Sequence, residues 1–217
     1  MKIFYPVGAF YPSQLGGPNN TVYWMTKALV NRGVDVTIVT THRGVDSSSG
    51  IEFNKWIDRG YGKIKYLKVL HRMIPIRLYL NSLIPLRNAD IIHLTSLFYS
   101  GSLILALTAV LLNKRIVWSV RGELTDSALK YNSVMKKVIL KVIGMIKSKV
   151  TFHGTSTDEI DLIKKRFGTE TKTIEIPNYM DMPKRHARNP KEKYFMFLGR
   201  IHAVSYTHLT LPTIYSV

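Results

Sequence analysis

The chain has 217 residues, 46% hydrophobic and 21% charged, and its 31 Lys and Arg against 14 Asp and Glu leave a formal net charge of +17. It contains no cysteine, which excludes disulfides, thiolate nucleophiles and cysteine metal sites and fits a reducing compartment. The composition suits one sizeable core, or one core plus a fragment, and so large a positive charge admits nucleic acid, an anionic membrane face or phosphorylated substrates as partners.

Residues 2–5 read as a first strand; the apolar stretch ends at Pro6 and is too short for a secretory signal. Residues 20–32 read as a helix, with Asn19 or Asn20 as N-cap and Gly33 just past its end. A strand rich in Val, Ile and Thr follows at 34–41, and a third is expected at 51–57. Residues 68–87 are helical in part but broken by Pro75 and Pro85. Strand 90–95, helix 99–113 and strand 115–120 come next. The apolar run 97–112 falls short of the roughly 20 residues of a spanning helix, so it reads as a buried helix. A long helix at 126–149, a strand at 150–154, a helix at 157–167 closed by Gly168 and a strand at 173–176 complete the alternation.

Strands alternating with helices imply βαβ units and a parallel, doubly wound α/β sheet, with ligands outside the carboxyl ends of the strands. Residues 1–176 read as one Rossmann-like domain, 177–193 as a polar, proline-bearing linker, and 194–202 as the first strand and loop of another domain. Residues 203–217 hold no charged residue, and their AVSYTHLTLPT core is one frame of a common sequencing-library adaptor; they read as a non-native tail.

Four segments at strand ends carry candidate chemistry. The loop from Pro6 to Asn19 holds Tyr11-Pro12 and Gly16-Gly17 at the start of a helix, where glycine lets backbone approach a ligand and free N–H groups favour phosphate. Arg121-Gly122-Glu123 places a charged pair beside a glycine at the next such edge. Ser156 and Glu159 form an S-x-x-E capping box, which capping alone accounts for. Ile176-Pro177-Asn178-Tyr179 is a turn before the linker. His93 and His153 read as satisfied core or edge histidines, and no H-x-x-H, H-E-x-x-H or carboxylate cluster points to a metal.

Taken in order, these pieces resemble the N-terminal half of family-4 glycosyltransferases. The matching segments are the Tyr-Pro then Gly-Gly loop, Leu29-x-x-Arg32-Gly33-x-Asp35-Val36, Asp90-Ile91-Ile92-His93, Ser119-Val120-Arg121-Gly122-Glu123-Leu124, Thr155-Ser156-x-x-Glu159, Ile176-Pro177-Asn178 and Phe197-Leu198-Gly199-Arg200. The resemblance implies the acceptor-side half of a two-domain GT-B enzyme of hexosyltransferase type. Such an enzyme transfers sugar from a nucleotide-sugar donor to a saccharide or lipid-linked saccharide, in cell-surface polysaccharide biosynthesis, without cofactor or metal. On this resemblance Gly16, Gly17 and Arg200 bind the donor phosphates, while Tyr11, Arg121 and Glu123 lie on the acceptor side. Arg121 and Glu123 are the catalytic candidates; relatives often carry a histidine near this strand end. The family's donor-site lysine and glutamate pair do not appear before the tail begins, so this stretch alone is expected to be inactive.

A cytoplasmic protein is expected, peripheral on the inner face of the plasma membrane. The helix at 130–149, with six lysines and no acid, would attract anionic headgroups. Its apolar stripe of Met135, Ile139, Val142, Ile143, Ile146 and Val150 would pack on the sheet. Two other classes compete: a non-catalytic nucleotide- or sugar-binding module of the same fold, and a basic nucleic-acid-binding protein. Without a helix-turn-helix, RRM or zinc pattern, no nucleic acid is expected as partner.

Overall fold

The computed structural model describes residues 1–13, 15, 17–69, 75–130 and 134–181. Met1–Asp181 is one compact unit. The expected donor-domain strand at 194–202 and the tail at 203–217 lie outside the described residues, as do Gly16 and Arg200.

The described strands are β1 (Lys2–Pro6), β2 (Asp35–Thr41), β3 (Trp56–Arg59), β4 (Gly62–Leu67), β5 (Ile91–Thr95), β6 (Arg115–Ser119), β7 (Val150–Gly154) and β8 (Thr173–Glu175). They form one sheet in the order β3-β4-β2-β1-β5-β6-β7-β8, parallel throughout except for β3 against β4. The helices are α1 (Gly17–Val30), α2 (Ile76–Asn88), α3 (Ser100–Leu111), α4 (Asp126–Lys130), α5 (Val134–Ile146) and α6 (Thr157–Phe167). The chain winds outward from β1 to β2 and β4, then returns past β1 to wind the other way through β5 to β8. This is the expected doubly wound α/β fold, and its strand order reverses between β1 and β5.

Side chains alternate across the sheet. Ile3 and Tyr5 join a cluster with Val36, Ile38, Ile64 and Tyr66 beneath α1. Phe4, between them, joins the larger cluster in which α2, α3, α5 and α6 cover Ile92, Ile116, Trp118 and Phe152.

Several expectations are corrected. α1 begins at Gly17, so Asn19 and Asn20 lie in its first turn and neither is the N-cap; Pro18 suits that turn, where a missing N–H costs nothing. The third strand is not 51–57 but a hairpin, β3 with β4, turning at Gly60-Tyr61. In β4, Ile64 and Tyr66 are buried while Lys63 and Lys65 alternate with them. A Cβ at Gly62 would lie 2.6 Å from the Val36 carbonyl oxygen, at a φ of +122°, so glycine is required there. Pro75 precedes α2, but Pro85 lies inside it and does not end it. Only the bond to the Asn81 carbonyl is forgone, and the helix closes one turn later with Ala89 N–H donating to the Pro85 carbonyl at 3.0 Å. The long helix at 126–149 is two helices and a terminal 3-10 turn, α4, α5 and Lys147–Lys149. The run expected to be a buried helix is only half covered: Leu105, Ala106 and Ala109 are buried, but Leu111 is 86% exposed.

Candidate active site

The loops at the carboxyl ends of β6, β7 and β8 meet the start of α1 around a cleft of about 400 Å³. Gly17, Pro18 and Thr21 line it from α1, Arg121, Gly122 and Thr125 from the β6 loop, Thr155, Ser156, Asp158, Glu159 and Leu162 from the β7–α6 connection, and Asn178 from beyond β8. Two of the expected site residues, Gly17 and Arg121, therefore come together. Thr21 and Thr125 join them without having been singled out; their neighbours in the cleft are too far along the chain to register as a motif.

Arg121 is the most constrained residue of the cleft. It follows β6 at a φ of +57°, a conformation that disfavours a side chain. Its Nη1 donates to Asn178 Oδ1 at 2.9 Å, while Nε and Nη2 are buried without a hydrogen-bond partner. It makes no ion pair among the described residues. Burial lowers its pKa, a trend opposed by the nearby Glu159 carboxylate and Tyr5. A planar guanidinium with two idle donors suits bidentate capture of a carboxylate or phosphate.

The two glutamates have tasks the sequence reading did not give them. Glu159 does not close the capping box: Ser156 Oγ accepts from Glu159 N–H at 3.4 Å, but the Glu159 side chain turns away from Ser156. Its buried carboxylate accepts from Gly122 N–H, from Thr155 N–H at 2.7 Å and from Thr155 Oγ1 at 3.0 Å, tying the β6 and β7 loops together. Glu123 does not line the cleft. It accepts from Ser96 Oγ at 2.6 Å and from Leu97 and Phe98 N–H, so it holds the β5–α3 loop, where Ser96 has a φ of +70°. Burial raises its pKa, and these donors offset only part of the rise. Tyr11 is exposed outside the cleft lining, stacked on Tyr23 with ring centroids 4.4 Å apart.

The helix termini differ in charge. α6 carries Asp158 and Glu159 in its first turn; α1 carries no acid there. The partial positive charge at the start of α1 is thus left for a ligand. Among the described residues no group of three His, Asp or Glu is placed to hold a metal ion.

Beneath the cleft runs a buried polar chain. His153 Nε2 is 2.9 Å from the Ile176 carbonyl, which only accepts, so Nε2 carries the proton. Nδ1 of the neutral ring then accepts from Ser119 Oγ at 2.7 Å, leaving Oγ to accept from His93 Nε2 at 2.7 Å. His93 stacks on Tyr5 at 4.7 Å. The expectation of satisfied histidines thus acquires a direction, from the sheet centre to the segment before Pro177. Burial lowers both histidine pKa values, His93 well below the ordinary 6.5, with His153 and Arg121 adding to the effect on His93.

Because the folded values are depressed, the neutral pair stabilises the fold above the unfolded pKa, and that stability is lost as pH falls below it. Each histidine contributes a slope of at most about 1.4 kcal/mol per pH unit between about pH 6.5 and its folded pKa. Calorimetry should find Tm dropping by several degrees between about pH 7 and 5, before most carboxylates titrate. A Tm flat across that window would refute the buried neutral pair.

The family model described as Glycosyltransferase Family 4 matches residues 15–183. A search of curated proteins returned no match. Among solved structures, the chain is similar to sucrose-phosphate synthase from Thermosynechococcus elongatus, with a TM-score of 0.58 and 15% identity over 81% of this chain and 47% of that one. It is also similar to HepE of Anabaena, solved with UDP and glucose, with a TM-score of 0.56 and 11% identity over 83% of this chain and 45% of that one. The chain therefore spans just under half the length of these two solved structures.

Proposed function

Since this chain belongs to glycosyltransferase family 4, we propose that its cleft holds the phosphates of a nucleotide-sugar donor during transfer of the sugar to an acceptor hydroxyl. One observation carries this reading. Arg121, whose Nε and Nη2 have no hydrogen-bond partner, lines a cleft with Gly17, at an α1 start that bears no acid. In such a transfer the bond from the anomeric carbon to the phosphate oxygen breaks, and negative charge grows on the departing nucleoside diphosphate. Donors fixed beforehand around that charge stabilise the transition state more than the ground state. Arg121 supplies two such donors, and the first turn of α1 adds its dipole and free N–H groups.

The UDP and glucose bound by HepE support a UDP-sugar of hexose type as donor. Gly16 and Arg200 are assigned to the donor phosphates by family resemblance alone and lie outside the described residues. For the acceptor, a saccharide or lipid-linked saccharide of a cell-surface polysaccharide fits the family, and Tyr11 is the acceptor-side residue exposed to meet it. Glu123 acts through the loop it holds and is a positioning residue.

The test is transfer from a panel of labelled nucleotide sugars by the protein with its donor-binding half present. A Cβ at Gly17 would meet open space, so Gly17→Val should fold normally. Its side chain would stand where phosphate must approach, and turnover should fall by about 10–100-fold, the loss of one to two good hydrogen bonds. Residues 1–217 alone should show no turnover. Normal kinetics in Gly17→Val would contradict the proposal; turnover by residues 1–217 would overturn only the expected need for a donor-binding half. Nucleotide-sugar binding without transfer would mark a binding module instead.

A further inference from the structure

α2, α3 and α5 pack side by side over the larger core cluster, with Tyr79 on α2 and Thr108 on α3 joined at 3.4 Å. Their outer faces are apolar. Ile84 on α2 is 72% exposed and Met145 on α5 is 78% exposed, while Leu80, Leu107, Leu111 and Val138 complete a surface that crosses all three helices. Scattered exposed leucines are ordinary, but exposed apolar residues on each of three adjacent helices mark an interaction surface.

The charges on these three helices have one sign. α2, α3 and α5 contain no Asp or Glu. Arg87, Lys137 and Lys141 are exposed among the apolar residues: at 3.6 residues per turn, Lys137 and Lys141 share the stripe of Val138 and Met145. The lysine face expected from the sequence is thus narrowed. Lys136 donates to the Ala128 carbonyl at 2.8 Å and lies over the Phe98 ring, and Lys147 donates to the Phe167 carbonyl. Of the expected apolar stripe, Ile139 and Ile143 are buried, whereas Met135 is exposed.

We propose that the α2–α3–α5 face docks on an anionic bilayer, with its apolar side chains seated at the headgroup–acyl boundary and Arg87, Lys137 and Lys141 among the lipid phosphates. Apolar burial and headgroup attraction then act together, as interfacial binding requires. Charge argues against a second copy of the chain as the occupant, because two faces built from acid-free basic helices repel. No described helix is long and apolar enough to cross a membrane, so the contact is made from one side. This inference stands apart from sugar transfer, because none of the residues named here lines the cleft.

The experiment is co-sedimentation of the 217-residue chain with vesicles of phosphatidylcholine alone or mixed equally with phosphatidylglycerol, at low and high salt. Binding should require phosphatidylglycerol and weaken with salt. Lys137→Gln with Lys141→Gln should weaken it by about 25-fold, roughly fivefold for each charge removed. Leu107→Gln with Leu111→Gln should weaken it by at least about tenfold, from lost apolar burial. Circular dichroism should show both double variants folded, because the changes lie on exposed positions. In Leu111→Trp, the added tryptophan should shift its emission to the blue on anionic vesicles only. The proposal fails if the wild-type chain ignores anionic vesicles at low salt, or if the leucine variant binds as well as wild type. It also fails if gel filtration shows a concentration-dependent dimer that the leucine substitutions disperse, since the face would then belong to a second copy.

Discussion

Arg121→Gly is expected to lower sugar transfer by about 10²–10³-fold, the cost of deleting a preorganised donor at a developing negative charge, while leaving the fold at least as stable. Two opposite effects meet at this residue. The native side chain holds a φ of +57°, a conformation glycine adopts freely and other residues adopt at a cost of about 1 kcal/mol or more. Its Nε and Nη2 are also buried without partners, so removing the guanidinium relieves a desolvation cost. Against these gains stand the loss of one exposed hydrogen bond to Asn178 and of the attraction to the nearby Glu159 carboxylate. Tm should therefore stay level or rise by a few degrees while kcat falls, measured on the protein with its donor-binding half. Arg121→Lys tests the geometry: it keeps a charge but loses the planar fork, so it should recover only part of the activity. Unchanged kcat in Arg121→Gly would remove Arg121 from the transfer step, and a large drop in Tm would make it a structural residue.

Glu159→Ala is expected to act mainly on stability. Glu159 is 6% exposed and its carboxylate accepts three bonds, from Gly122 N–H, Thr155 N–H and the Thr155 hydroxyl. Truncation leaves two backbone N–H groups without that acceptor in a part-buried site, at about 1–3 kcal/mol each before relaxation. A net loss of about 2–4 kcal/mol is expected, lowering Tm by roughly 5–15 °C in a domain of this size. Glu159→Gln keeps one acceptor oxygen and should lose less than half as much. Glu170→Ala, on an exposed side chain after α6, should change stability by no more than about 0.5 kcal/mol. Thermal denaturation of the three variants decides the matter. If Glu159→Ala is as stable as Glu170→Ala, the carboxylate does not join the loops.

The parts of the fold legible in the sequence are those governed by neighbours a few residues apart. α6 is the clearest case: Ser156 caps one end and Gly168, at a φ of +101°, closes the other, as the sequence pattern implies. β4 escaped reading although Lys63-Ile64-Lys65-Tyr66 alternates with period two. The structure places both ammonium groups over the ring of Trp56, at 5.6 and 5.7 Å from its centroid, across the hairpin. That contact depends on strand pairing, which a run of residues does not display.

For the site, local pattern supplied the place and tertiary contact supplied the roles. Alternating strands and helices imply a parallel sheet, and a parallel sheet puts its loops and helix N-termini at the carboxyl ends of the strands. The positions of Gly17 and Arg121 at one edge followed from sequence alone. Which glutamate meets which loop did not, because Glu123 reaches residues 25 to 27 positions away and Glu159 reaches Gly122, 37 positions away. Nor did the sequence distinguish an Arg121 paired to a neighbouring carboxylate from one left with idle donors, since pairing depends on everything packed around the group. The outer face of α3 is a parallel case: the composition of the helix makes it apolar on every side, but only the packing shows that Leu105 and Ala109 join the core while Leu107 and Leu111 are exposed. Periodicity assigns side chains to faces; what covers a face, and which polar atoms remain unpaired, is settled by chain segments distant in sequence and adjacent in space.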